Sequence, residues 1–314
     1  METNENQTTQ NTTQNTPPKK KWLKRKLGDT LPVLYVKTFL LLLLGQYIGY
    51  GLLYGISFIL NTISPSIVES NAWITGEMYA EFIGIWIVFL IALAVFKKNH
   101  SILACVGPAA KGNNLIQLGI GIALGFGMNG FCILIASLNK DISLYFDSFR
   151  PISFVLIFIV VFIQSSAEEL VCRCYLFQKL IKSYKNPLVA IIGNSLFFAL
   201  LHLMNPGITI WSFLNIMLVG ILFSIVVYYR DSLWCVCAIH AAWNFTQNIL
   251  FGLPNSGLVV PYSVFKIDAG SATDSFAYNV AFGVEGTILA CVVLLIVSVA
   301  LYFWYNKHPQ KSNG

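Results

Sequence analysis

Apolar residues in this chain come in long unbroken runs, without the strict alternation of a half-buried strand. The runs recur at roughly 20 residues, the length a helix needs to cross a hydrocarbon core about 30 Å thick. Inside lipid every backbone N–H must bond within its own segment, so such runs become helices; a β-barrel would show short alternating strands instead. The pattern predicts an all-α polytopic membrane protein with about eight spans, near 32–61, 79–96, 114–138, 152–171, 187–205, 211–229, 232–252 and 281–305. The fourth span continues as a polar helical stretch to about residue 182. The longest internal loop, about 253–280, is too short for a soluble domain. Chemistry must therefore use residues in or beside the membrane helices.

Composition supports this reading. The chain is 56% hydrophobic and 11% charged, against about 25% charged in ordinary soluble domains. The first 18 residues are polar and repetitive and lack the apolar stretch of a secretory signal. The expected organisation is a disordered basic cytoplasmic tail over 1–30, a membrane domain over 31–306 with a catalytic core at 152–253, and a second cytoplasmic tail over 307–314. The net charge of +6 does not point to nucleic acid, because the basic residues sit in loops beside apolar runs. With the N-terminus inside, the inner segments hold 15 Lys and Arg, whereas the outer loops hold Lys140, Arg150 and Lys266. That bias predicts a cell-membrane protein with both ends cytoplasmic. The seven cysteines, including Cys172-x-Cys174 and Cys235-x-Cys237, read as small apolar fillers.

Ionisable groups within spans cost on the order of 2.5–3.5 kcal/mol each, which marks them as functional candidates. Three clusters stand out. In the first, Glu168, Glu169 and Arg173, the Glu169–Arg173 spacing puts both on one helix face, where they can pair. Glu168 points about 100° away and lacks that partner. A carboxylate in such a setting suits a general base, although a salt bridge at a helix end accounts for Glu169 and Arg173 alone. In the second and third, Phe198 with His202 and His240 with Asn244 are each four apart. The latter pair presents an imidazole and an amide able to donate to one oxygen, or to bond between helices. Glu285, near the start of the last span, is expected to reach outward to the interface, as is Lys37 at its own.

The ordered set Glu168-Glu169-x-x-x-Arg173, Phe198-x-x-x-His202 and His240-x-x-x-Asn244 resembles the CPBP family, the CAAX-protease and bacteriocin-processing (Abi) family. The resemblance covers about 152–253. It implies an eight-helix intramembrane endopeptidase with a conical cavity. By that resemblance Glu168 is the base, His202 helps position a water, and His240 with Asn244 forms an oxyanion hole. Glu169, Arg173 and Phe198 would support the site structurally. Partners would be the lipid bilayer and a membrane-associated peptide or protein: a prenylated CAAX tail, a bacteriocin leader or a peptide pheromone. No cofactor is expected in a glutamate mechanism. The alternative is a zinc site using Glu168, His202 and His240 with water completing a tetrahedron. Two other functions compete: a non-catalytic immunity or scaffold protein, and a proton-coupled transporter relaying through Glu168, His202 and Glu285.

Overall fold

A computed structural model describes residues 29–184 and 186–308. The two predicted tails therefore lie almost wholly outside the described residues. Helix α1 spans Leu31–Ile63. Helices α2 (Asn71–Ala80) and α3 (Ile83–Val95) form one span interrupted at Glu81 and Phe82. Next come α4 (Leu115–Leu138) and α5 (Pro151–Glu169), the latter running through a π-helical segment, Leu170–Leu176, into α6 (Phe177–Tyr184). Then follow α7 (Pro187–Leu201), α8 (Ile210–Arg230), α9 (Leu233–Asn244, extended by a π-helical Phe245–Leu250) and α10 (Ile288–Lys307). Short helical turns occupy some of the connections.

Six of these segments are long and apolar enough to cross a membrane: 31–63, 71–95, 115–138, 151–184, 210–230 and 288–307. The protein is an all-α, multi-pass membrane protein. The remaining two apolar runs fold as α7, of 15 residues, and α9 with its π-helical extension. Its surface is apolar where a soluble protein's would be polar. Leu40, Tyr47, Tyr50 and Tyr54 of α1 are all exposed, as expected of side chains that face lipid.

Local sequence sets the helix ends. Pro151 and Pro187 open their helices, where a missing N–H costs nothing. The Ser232 hydroxyl accepts from Cys235 N and starts α9, after Asp231 closes α8 in a left-handed conformation (φ 50°). Two boundaries differ from the hydropathy reading. The second span begins at Asn71, about two turns before 79, because its polar residues are satisfied inside the protein. Thr75 Oγ1 accepts from Tyr262 N at 3.0 Å, and Ser57 Oγ donates to Glu77. The last span begins at Ile288 and not at 281, with Thr287 capping Ala290 N.

Glu285 consequently does not reach outward. It lies in a turn at Val284–Gly286, is 7% exposed, and accepts from Trp243 Nε1 at 2.8 Å and from Ser256 N at 2.7 Å. Burial pushes its carboxyl up from the ordinary range, while these donors pull it back.

The element that matters most for the site is α9, which is buried along almost its entire length. It packs on α4 and α5. The approach to α4 is close because Gly121 and Gly125 face it: a Cβ on Gly125 would lie 2.4 Å from Ile239 O and 2.7 Å from Ala242 Cβ. A two-stranded antiparallel sheet, β1 (Leu144–Phe146) and β2 (Phe265–Ile267), joins the loop after α4 to the loop before α10, with Tyr145 opposite Lys266.

Candidate active site

The site is assembled from three helices. At the end of α5, Glu169 and Arg173 are fully buried and paired, Nη1 to Oε1 at 3.1 Å. The guanidinium lies 4.4 Å from the Phe198 ring centroid and 5.1 Å from that of Phe223. Cation–π contact of this kind offsets part of the cost of burying the charge. The pair lies where α5 passes into the π-helical segment, a local widening common at functional sites.

Glu169 has a second partner. His240 Nδ1 donates to the same Oε1 at 2.8 Å. A carboxylate oxygen only accepts, so Nδ1 carries the hydrogen and the ring is held with Nε2 turned to Glu168. The His240 Nε2 to Glu168 Oε2 separation is 3.8 Å, too long for a direct hydrogen bond. Both groups therefore retain capacity for a third molecule between them. His202 is fixed in the same way. It terminates α7, and its Nδ1 donates to Phe198 O at 2.8 Å, which leaves the lone pair on Nε2. The Phe198 ring packs edge-on against it, with centroids 4.8 Å apart.

Glu168 is partly accessible, and its Oε1 accepts from Gln164 Nε2 at 2.6 Å. Asn244 Nδ2 donates to Gln164 Oε1 and Ser165 Oγ, each at 3.2 Å. Gln164 thus ties the carboxylate to the amide. The sequence reading passed over it, although a Gln and two Ser one turn before the glutamates in an otherwise apolar run were a legible signal.

Glu168, His202, His240 and Asn244 line one cavity of about 310 Å³. At about 30 Å³ per water, that is room for roughly ten waters. The lining from the first helices is mostly apolar: Phe39 and Leu42 beside Gln46 of α1, Met78 beside Tyr79 of α2, and Phe82 and Ile85 where α3 begins. Four polar residues from three helices meet at one solvent-sized space.

Residues 150–246 match the family model described as type II CAAX prenyl endopeptidase Rce1-like. That stretch is similar to the CAAX-protease (CPBP) family. It spans α5 to the end of α9 and holds every residue of the three motifs. No curated protein matches the chain.

The donor set decides whether zinc fits here. Glu168, His202 and His240 carry suitable atoms, but among the described residues no three His, Cys, Asp or Glu side chains converge closely enough to hold one ion.

Proposed function

We propose that this protein hydrolyses a peptide bond of a membrane-associated peptide by water activated at Glu168. The observation that carries the proposal is the meeting of Glu168, His202, His240 and Asn244 around one cavity. Water is a poor nucleophile at neutral pH and needs a base. Glu168 takes one proton from the water, and the free Nε2 of His202 accepts a hydrogen bond from the other. The water oxygen attacks the carbonyl carbon, and the carbonyl oxygen becomes an oxyanion. His240, as an imidazolium anchored through Nδ1 to Glu169, donates from Nε2 to that oxygen, and the Asn244 amide donates beside it. Collapse breaks the C–N bond, and Glu168 returns its proton to the leaving amine, giving an amine and a carboxylic acid that still holds the water's other proton. A low-dielectric surrounding strengthens each of these interactions.

The mostly apolar lining from α1 to α3 favours a substrate carrying an apolar anchor. A prenylated CAAX tail meets that description by its chemistry; a bacteriocin leader and a peptide pheromone are the other candidates. The charge asymmetry of the loops supports an even number of crossings with both termini on the cytoplasmic side of the cell membrane.

The test is a comparison of small peptides released by cells expressing the wild type, Glu168→Gln or His202→Ala. The proposal expects a set of cleavage products that vanishes in both variants while membrane levels of the protein stay equal. Products that persist unchanged in either variant would overturn it.

A further inference from the structure

The loop that follows the matched stretch reaches back into the site. Asn255 Nδ2 donates to Asn244 Oδ1 at 3.2 Å and to Glu285 Oε1 at 3.1 Å. Glu285 is held in turn by Trp243 Nε1 at 2.8 Å on the same oxygen, and by Ser256 N and Oγ at 2.7 and 3.0 Å on the other. Both Asn255 and Glu285 lie beyond the matched stretch of 150–246.

We infer that Asn255 and Glu285 are positioning residues that set which way the Asn244 amide faces, an inference that rests on the oxyanion role proposed for Asn244. The argument is one of hydrogen-bond polarity. Four donor groups converge on the two Glu285 oxygens, so Glu285 acts there purely as an acceptor. An acceptor beside Asn255 forces its NH₂ inward, because the flipped amide would set oxygen against carboxylate. That NH₂ also meets Asn244 Oδ1, so the Asn244 oxygen is committed to the loop and its own NH₂ to Gln164, Ser165 and the cavity. A carboxylate two hydrogen bonds away thereby fixes a donor. The substitution Glu285→Gln would remove the constraint, since an amide there offers either a donor or an acceptor. The substitution Asn255→Asp would reverse it, because an acceptor facing Asn244 draws the Asn244 NH₂ away from the cavity.

Two measurements test this on the full-length protein. The first follows cleavage of the peptide that distinguishes wild type from Glu168→Gln cells. Glu285→Gln and Asn255→Asp should each lower kcat by about 10- to 100-fold, within the range seen when one oxyanion donor is lost, with KM little changed. The double variant Asn255→Asp with Glu285→Gln restores a donor–acceptor match and should recover thermal stability, yet stay as slow as Asn255→Asp. A merely structural role would recover both. The second is NMR of ¹⁵N-Asn-labelled protein in detergent, with the Asn244 side-chain NH₂ assigned by its loss in Asn244→Asp. Its resonances should move in Glu285→Gln and Asn255→Asp. If Glu168→Gln is inactive while Glu285→Gln and Asn255→Asp cleave at the wild-type rate, the inference fails and the protease reading stands. If Glu168→Gln cleaves normally, the protease reading fails. The Asn244 resonances then decide the positioning claim alone, and unmoved resonances overturn it.

Discussion

Glu169 and His240 meet at 2.8 Å, on the same carboxylate oxygen that pairs with Arg173. Through this one atom the first motif, at the end of α5, is joined to the third, on α9. Removing the carboxylate leaves Arg173 buried without a counter-charge, a change that typically costs about 3–5 kcal/mol. Glu169→Ala should therefore fail to accumulate or melt many degrees lower in detergent. Glu169→Gln keeps the shape and can still accept, but it no longer balances the guanidinium. It should be less destabilised than Glu169→Ala and still catalytically impaired. Normal stability and turnover in Glu169→Ala would show that the shared oxygen does not hold the two motifs together.

Glu168 and Glu169 are neighbours in sequence with opposite surroundings. Glu169 is fully buried, whereas Glu168 is partly exposed to the cavity and bonded to Gln164. Substitution at Glu168 should spare the fold and remove the chemistry. The expected loss in Glu168→Gln is about 100- to 10,000-fold, the usual contribution of a positioned acid–base group, with a melting temperature close to that of the wild type. A collapse of stability matching that of Glu169→Ala would contradict the division of roles.

Much of this arrangement was legible in the sequence, and the illegible part has a physical cause. Long apolar runs fix where helices lie, and a spacing of four fixes which residues share a face, so Glu169 with Arg173 and His240 with Asn244 could be paired in advance. Contacts between helices depend on how each is rotated about its axis. The π-helical Leu170–Leu176 alters that rotation where the Glu169–Arg173 pair lies. Neither the Glu169–His240 bond nor the Gln164 bridge could be read from spacing. Glu285 was misplaced because its apolar neighbours, Val-Ala-Phe-Gly-Val, look like the start of a span. The chain instead makes a turn there, with Gly283 at a φ of 75°.

The proposed chemistry requires two opposite protonation states. Glu168 must be ionised to accept a proton, and His240 must be an imidazolium for Nε2 to donate while Nδ1 is committed to Glu169. Activity should fall as pH rises far enough to take the His240 proton. The expected kcat profile falls on its alkaline side, with a limb that belongs to the coupled set and not to a single residue. His240→Gln should flatten the alkaline limb at a lower plateau. A profile that rises steadily to high pH would exclude a protonated His240.

The position of α9 depends on Gly121 and Gly125 more than on any residue of the site. A Cβ at Gly121 would lie 2.4 Å from Cys235 O and 2.8 Å from Ala238 Cβ, and the Gly125 contacts are equally tight. Gly125→Val cannot be absorbed by a flexible side chain, because the obstructing atoms are backbone carbonyl and Cβ. The helix must shift, and overpacking of this kind costs about 1–3 kcal/mol. His240 and Asn244 travel with it, one residue beyond Ile239 and two beyond Ala242. Gly125→Val should thus lose turnover out of proportion to its loss of stability, since a displacement near 1 Å can cost about 100-fold in rate. Gly127→Val serves as the control, because a Cβ there meets nothing within 4 Å. Equal effects of the two valines on cleavage would mean that the α4–α9 contact does not govern the site.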